Sequence, residues 1–583
     1  MNNLKNELQD RYYTEGFISN FLAIIIGIIT ALVFVAYDQV TYYFTTLFFN
    51  TPNNSLPIYI ILLPAAGGLC VGLISYKFMK KSRCGVAEIV EATALQGGKI
   101  KSKFAFYEVF LSMISICTGG SVGKEAPGIL AGTGVGATVA DLLKSPDNRF
   151  RTLIACGASG GIAAAFHAPL AGVVFVVEVI LGELQTRTLI PVVLSSVFST
   201  LVTDIIFGIQ PIQVSYYGME SPFREPVLYI IMGLLAGIVA AIFIKCTYLT
   251  QDSFEKLPIK PYLKPALGGL VVGCIGYFYP QIFGIGYDVI KQSLNNELAM
   301  QMLLILLVLK IVAFAFTVGS GGSGGSGGAI VPALFAGSML GGGFGKLVNY
   351  IFPLSTAPAG AYALVGMGAV FAGVVHAPLT AMLILFELTR DYSLILPLML
   401  TCVISNVIST HLHEESIYTE LLRRRGHVIR AGTEVNVMES LTVRDNMVRD
   451  VLFLNVKDTA ANLLNLMHKS KHAGFPVLDN QGKLAGIVTL HDMRDKVKQG
   501  ELEKPITQIM SKNVVTAYPD ESLDIVLKRL AAHDVGRLPV VSRKDRITLI
   551  GIITRSDIVK SYDREIVKRM QTGENDNLKP DGR

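Results

Sequence analysis

Glu125 is the residue whose type and setting say most about chemistry. It stands in Gly119-Gly120-Ser121-Val122-Gly123-Lys124-Glu125-Ala126-Pro127, and no charged residue follows until Asp141. A proline in the first turn of a helix is natural, so Glu125 falls at a helix start. Main-chain N–H groups there lack helical acceptors and carry partial positive charge. A small anion would bind those same amides, and a carboxylate of equal charge would compete with it. Protonating Glu125, or swinging it away, would release the site, which makes one side chain a gate and a proton carrier. The alternatives are a helix-capping carboxylate or an ion pair with Lys124. A second glycine-dense stretch runs from Gly319 to Gly328 and leads into Ala329-Ile330-Val331-Pro332. Apolar segments flank it on both sides, whereas a flexible Gly/Ser linker joins polar domain boundaries. We read a second anion-facing helix start at Ala329–Ile330, with helix packing through small residues as the alternative.

Such helix starts act best away from water. Residues of the set AVILMFWYC make up 51% of the 583-residue chain and charged residues 16%, with a mean hydropathy of +0.48. A soluble domain carries about 25% charged residues. Asp, Glu, Lys and Arg are absent from residues 16–37, 39–76, 152–177 and 347–386, among other runs. About 20 apolar residues cross a bilayer as a helix, so a soluble α-protein is excluded and a polytopic membrane protein expected. Glu7, Asp10 and Glu15 precede a run too long for a cleavable export signal. The net charge of +6 is dispersed and marks no nucleic-acid surface. The seven cysteines have no metal-ligand spacing.

Both parts of the chain repeat. His167-Ala168-Pro169-Leu170 precedes an apolar segment ending at Glu178, and His376-Ala377-Pro378-Leu379 precedes one ending at Glu387. Each follows a glycine-dense stretch with a proline, Pro127 or Pro332, at separations of 42 and 46 residues. Duplicated halves with glycine-interrupted segments are how transporters place broken helices around a mid-membrane site. Equivalence by repeat gives Glu178 and Glu387 a shared structural role. It makes His167 and His376 helix-start hydrogen-bonding residues.

Near residue 414 the chain turns polar, with a basic cluster at Arg423-Arg424-Arg425 that favours a cytoplasmic tail. There Gly474-Phe475-Pro476-Val477 and Gly486-Ile487-Val488-Thr489 are matched by Arg537-Leu538-Pro539-Val540 and Gly551-Ile552-Ile553-Thr554. Helical spacing over 458–468 and 522–532, with β-branched runs at 484–489 and 547–553, gives each unit a helix, two short strands and a second helix.

From about residue 18 to 569 the chain resembles the CLC family of chloride channels and chloride/proton exchangers. Gly123-Lys124-Glu125-Ala126-Pro127 is similar to that family's Gly-Lys/Arg-Glu-Gly-Pro, Gly327-Gly328-Ala329-Ile330-Val331-Pro332 to its Gly-x-Phe-x-Pro, and Ala165 to Gly172 to its Ala-Phe-Asn-Ala-Pro-Leu-Ala-Gly. The resemblance implies an all-α polytopic membrane fold with an inverted internal repeat and broken helices, followed by an α/β CBS-domain pair. It implies a homodimer with one pore per subunit, Glu125 as the external gating glutamate, and Gly328, Ala329 and Ile330 around the central anion. Tyr418 would close the inner side. The tail would be two CBS domains in which Thr489/Asp492 and Thr554/Asp557 hold the ribose of an adenine nucleotide (ATP, ADP or AMP). The alternative for that pair is a dimerising scaffold; no cofactor is required. The expected boundaries are a cytoplasmic N-terminal segment at 1–17 and a transport domain at 18–420, with halves at about 18–210 and 222–415. A basic linker at 421–433, CBS domains at 434–500 and 505–570, and a flexible tail at 571–583 complete the chain. Both termini would be cytoplasmic at the cell membrane.

Two departures from the family pattern bear on mechanism. The family's Gly-Ser-Gly-Ile-Pro appears as Arg83-Cys84-Gly85-Val86-Ala87. Cys84 replaces a serine hydroxyl with a weaker donor, and Arg83 could concentrate anions beside it. Val179 stands where the family's exchangers commonly carry an internal proton-accepting glutamate, and valine carries no proton. This favours a passive, gated conductance for chloride or a similar anion, with proton exchange along a non-standard internal path as the alternative.

Overall fold

Lipid offers no partner for backbone N–H and C=O groups, so a spanning chain satisfies them within its own helices. The computed structural model describes residues 2–49, 57–79, 85–95, 98–182, 186–208, 224–322, 328–353, 356–425, 438, 441–470, 472–496 and 502–564. Arg83 and Cys84 lie outside them. The chain divides into two compact units, the second beginning at Glu434.

Among its described residues the first unit is built of helices. Its first half holds α1 (Asn2–Phe49), α2 (Tyr59–Ile74), α3 (Val86–Leu95), α4 (Ser102–Cys117), α5 (Glu125–Leu142), α6 (Asp147–Phe166), α7 (Pro169–Phe175) and α8 (Thr186–Phe207). Its second half holds α9 (Arg224–Lys256), α10 (Lys264–Phe278), α11 (Tyr287–Leu294), α12 (Met300–Gly319), α13 (Ile330–Ile351), α14 (Ala359–Val375), α15 (Pro378–Thr389) and α16 (Ile395–Leu412). The short α17 (Thr419–Arg424) follows. Seven spans among the described residues are long and apolar enough to cross a membrane, and shorter apolar helices lie between them. α1 runs without a break from Asn2 into the first span, which begins at Gly16.

Small residues let the central helices touch backbone to backbone. A Cβ added at Gly132 of α5 would strike the carbonyl of Gly157 of α6, and one at Gly157 would strike Gly132. Gly337 of α13 and Gly366 of α14 repeat that mutual contact in the second half. Neither pair of helices could approach so closely with any larger residue, which is how small residues work in membrane interiors. The two packed pairs hold α5 and α13 at the centre of the unit, with almost every residue of their first turns buried.

The second unit is α/β. Strands β1 (Leu454–Asn455), β2 (Gly474–Leu478) and β3 (Leu484–Thr489) form one sheet, and β4 (Arg537–Val541) and β5 (Leu549–Thr554) pair antiparallel in another. Helices at Ala460–Ser470 and Leu523–Ala532 precede the two hairpins, and helices after Thr489 and Thr554 follow them. The two repeats also bridge each other, at Lys483 with Thr548 and Ile487 with Ser511.

Candidate anion pathway

The starts of α5 and α13 carry the chemistry. Lys124 and Ala329 occupy the N-cap positions, and neither side chain caps its helix. Pro127 and Pro332 each stand third in their helices, so in both the first two N–H groups are left without helical acceptors. The segments before these starts are joined directly: the Gly123 N–H donates to the Gly328 carbonyl at 2.9 Å, and the Ser121 N–H to Thr317 Oγ1 at 3.2 Å. A Cβ on Gly328 would lie 2.8 Å from the carbonyl carbon of Gly123, so only glycine fits. Glu125, Ala329 and Ile330 are all 0% exposed. The two helix starts predicted from separate glycine-rich stretches therefore meet inside the protein.

Glu125 is lightly held there. The Tyr287 hydroxyl donates to its Oε1 at 3.1 Å. Its Oε2 lies against Gly123 and has no hydrogen-bond partner among the described residues. Lys124 does not pair with it; Lys124 Nζ sits 2.6 Å from Asp38 Oδ1 and 5.8 Å from the ring centres of both Phe34 and Tyr287. A cavity of about 200 Å³ opens beside Lys124, lined also by Phe34, Asp38, Ala165, His167 and Phe207. Lys310 is fully buried and is likewise turned away, donating to the carbonyls of Ile282 at 3.1 Å and Gly284 at 2.8 Å and lying 4.9 Å from the Phe335 ring centre.

Sequence reasoning missed Tyr287, Asp38 and Lys310. Asp38 and Lys310 did carry a signal, each being a lone charge inside an apolar run, where an ionisable group is costly enough to need a purpose. Tyr287 carried none, because a tyrosine at a loop-to-helix junction is ordinary.

The duplicated glutamates do something different. Glu387 accepts from the N–H groups of Leu170 at 3.0 Å and Ala171 at 2.8 Å, filling the start of α7. Glu178 accepts from Leu379 at 3.1 Å, from Thr380 N–H at 2.8 Å and from its hydroxyl at 2.7 Å, filling the start of α15. Each half caps the other. His167 and His376 end the preceding helices rather than start the following ones, with φ of 52° and 58° in the left-handed region. His167 Nδ1 also meets Asp204 Oδ1 at 2.6 Å. Val179 is half-buried in a π-helical turn, Val176–Leu181, that α15 lacks. Such turns recur at functional positions.

Tyr418 is 5% exposed, and its hydroxyl has no hydrogen-bond partner among the described residues. The neighbouring Ile417 is fixed through its N–H on the Val374 carbonyl, 3.0 Å, and its own carbonyl under the Tyr248 hydroxyl, 2.6 Å.

In the second unit both Thr–Asp pairs adopt one geometry. Asp492 Oδ2 accepts from the Thr489 N–H at 3.0 Å and its hydroxyl at 2.7 Å, and Asp557 Oδ2 does the same for Thr554 at the same two distances. Each aspartate thus caps the helix that follows its strand and commits one oxygen to it. Ser511 donates to the other oxygen of Asp492 at 3.2 Å.

The chain has clear relatives. The family described as voltage gated chloride channel matches residues 67–410, and the CBS domain family matches 441–499 and 506–564. A ClcB-like protein of Ralstonia nicotianae is 32% identical over 370 residues, covering 62% of this chain and 85% of that protein. The voltage-gated ClC-type chloride channel ClcB of Escherichia coli O157:H7 is 30% identical, covering 68% of this chain and 97% of its own length. Among solved structures, a slow cyanobacterial chloride/proton antiporter aligns with a TM-score of 0.64 at 24% identity, over 70% of this chain and 97% of that one. A eukaryotic CLC transporter aligns over 92% of this chain and 97% of its own, with a TM-score of 0.61 at 19% identity. At these identities the structures speak for the fold.

Proposed function

The chain belongs to the voltage gated chloride channel family, whose members carry anions across membranes, and from that premise we propose that it exchanges chloride or a similar small anion for protons, with Glu125 as the gate. One observation carries this reading: the Glu125 carboxylate lies where the α5 start meets the Gly123–Gly328 contact, the place an anion would need.

The cycle follows from charge. Deprotonated Glu125 occupies the partial positive charge of the α5 start and excludes an anion of equal charge. A proton on the carboxylate removes that attraction, the side chain leaves Tyr287, and an anion takes the amides of the α5 and α13 starts. Gly328, Ala329 and Ile330 supply the second set of amides, and Tyr418 closes the opposite side. The burial of Glu125 and Tyr418 supports a site closed towards both faces, a state an exchanger passes through in every turnover. Asp38 neutralises Lys124, so no unpaired lysine at the gate holds the anion too firmly to release it.

A second reading, passive conductance, is favoured by Val179 alone, since a valine cannot relay protons from the inner side. Water or a neighbouring acid would have to serve an exchanger there. Purified protein in liposomes separates the two when chloride and proton fluxes are measured together under an imposed proton gradient. Chloride driven uphill by protons supports exchange; chloride that only follows its own gradient refutes it and leaves conductance.

The rest of the proposed arrangement is a homodimer in a cell membrane with one pathway per subunit and cytoplasmic termini, as the Arg423–Arg425 cluster favours. The CBS pair is the regulator. A nucleotide held by Thr489/Asp492 or Thr554/Asp557 would change transport only by binding two states unequally.

A further inference from the structure

The turn that leads into α11 is held by a cation that the transport cycle leaves unused. Lys310 is the single charged residue of α12, and an ionisable side chain at membrane depth is costly unless something there needs it. Its Nζ spends its donors on the carbonyls of Ile282 and Gly284, and the Phe335 ring of α13 lies beside it. Phe335 also backs the end of the same turn, since a Cβ on Gly286 would come within 2.8 Å of its ring. Gly284 and Gly286 have φ of 58° and 87°, a backbone that glycine adopts readily. Gly286 is the N-cap of α11 and Tyr287 its first residue. Lys310 therefore fixes the turn that delivers the Tyr287 hydroxyl to Glu125.

The same helix holds the other partner in that bond. Thr317 Oγ1 accepts from the N–H of Ser121, in the segment that enters α5. Lys310 and Thr317 are seven positions apart on α12, about two helical turns, so they share one face. One rigid element thus sets both ends of the contact between Glu125 and Tyr287.

We propose that Lys310 is a positioning residue for the gate, which places Tyr287 on Glu125 through the Ile282–Gly284 turn and so sets how readily the carboxylate leaves. This rests on the reading of Glu125 as the gate. Without the ammonium two buried carbonyls lose their donor, the turn relaxes, and the hydroxyl drifts beyond its 3.1 Å contact, where a hydrogen bond weakens steeply. The titratable and charged groups around Glu125 are Tyr287, Lys124, Asp38, Tyr37 and Tyr418. None of them changes charge in the variants below.

Chloride efflux from liposomes is measured against pH for Lys310→Met, Tyr287→Phe and the pair, with thermal unfolding of each. Lys310→Met should raise efflux at neutral pH by about tenfold and move its half-maximum to higher pH, the direction of Tyr287→Phe, because a carboxylate without its donor leaves more readily. In the Tyr287→Phe background the same change should add nothing to efflux while still lowering stability. A lysine that merely supports the fold, or acts on Glu125 by its charge alone, would not give that split. Gly284→Ala reaches the turn by another route and leaves every charge in place: its Cβ meets nothing within 4 Å among the described residues, but its φ disfavours alanine. It should shift efflux in the same direction, and only while the Tyr287 hydroxyl is present. Effects that add to those of Tyr287→Phe, or an unmodified pH profile in folded Lys310→Met or Gly284→Ala, overturn the proposal. A pH dependence that survives Glu125→Ala overturns it together with the gate reading beneath it.

Discussion

Gly123→Ala should open the gate without touching the gating residue. A Cβ at Gly123 would collide with Glu125 Oε2, the free end of a side chain, and would meet the Gly328 carbonyl oxygen at only 3.2 Å and Val331 Cβ at 3.3 Å. The Gly328 carbonyl and the Val331 side chain need give by only a few tenths of an ångström, so the carboxylate is what moves. Moving it breaks the 3.1 Å bond from Tyr287. A hydrogen bond to a charged group contributes about 1.5–3 kcal/mol, which corresponds to a shift of roughly 10- to 150-fold towards the open side. Gly328→Ala is the control, because its Cβ would lie 2.8 Å from the Gly123 carbonyl carbon and backbone cannot swing aside. Chloride efflux from liposomes across a range of pH reads the outcome. The alanine at 123 should raise flux at neutral pH and flatten its rise towards acid, as Glu125→Ala should also do, whereas the alanine at 328 should abolish flux or folding. If folded Gly123→Ala keeps the unmodified protein's rate and pH dependence, Glu125 is not the gate at this contact.

Other substitutions test the neighbouring contacts. Tyr287→Phe removes the hydroxyl that donates to Glu125 and should ease opening by about 10- to 150-fold in the same efflux assay, in the same direction as Gly123→Ala. Asp38→Asn releases Lys124 and should tighten anion binding and slow chloride turnover at low ionic strength, with the loss fading as salt screens the freed charge. Glu387→Ala and Glu178→Ala each strand helix-start N–H groups in the interior, and each should lower stability by about 1–3 kcal/mol in thermal unfolding; a gating phenotype without destabilisation would contradict the cap assignment. Asp492→Ala together with Asp557→Ala should abolish calorimetric binding of ATP, ADP or AMP by the full-length protein; undiminished binding would place the nucleotide elsewhere.

The membrane helices, their duplication and the α/β tail were legible because each leaves a long record in sequence: uncharged runs, recurring tetrapeptides and alternating β-branched residues. The helix starts at Glu125 and Ile330 were legible because glycine and proline mark them, and the contact between Gly123 and Gly328 spans 205 positions that no local pattern reports. The histidines show the limit of motif reading. His-Ala-Pro was read as the beginning of a helix, yet the αL backbone at His167 and His376 ends one helix before proline begins the next. Tyr287 was invisible for a different reason. Its meaning lies entirely in a partner 162 positions away, and a single hydroxyl at a helix start has no signature of its own.

Why the same residue type serves as a strut in two places and, in our proposal, as a gate in a third is answered by counting bonds. Four helix starts recur through the duplication, those of α5, α7, α13 and α15. Those of α7 and α15 are filled from the opposite half by Glu387 and Glu178, whose carboxylates accept two and three hydrogen bonds. Displacing either would leave two or three helix-start donors unsatisfied, at about 1–3 kcal/mol each, which an incoming ion would have to offset. The start of α5 is filled from its own helix by Glu125, which is held by one tyrosine hydroxyl and leaves its second oxygen without a hydrogen-bond partner among the described residues. Chloride can supply the charge Glu125 withdraws, and nearby lysines do not bias the exchange, because Lys124 is neutralised by Asp38 and Lys310 is occupied by two carbonyls. The vacancy open to an anion is thus the one whose protein occupant is bound weakly enough to leave.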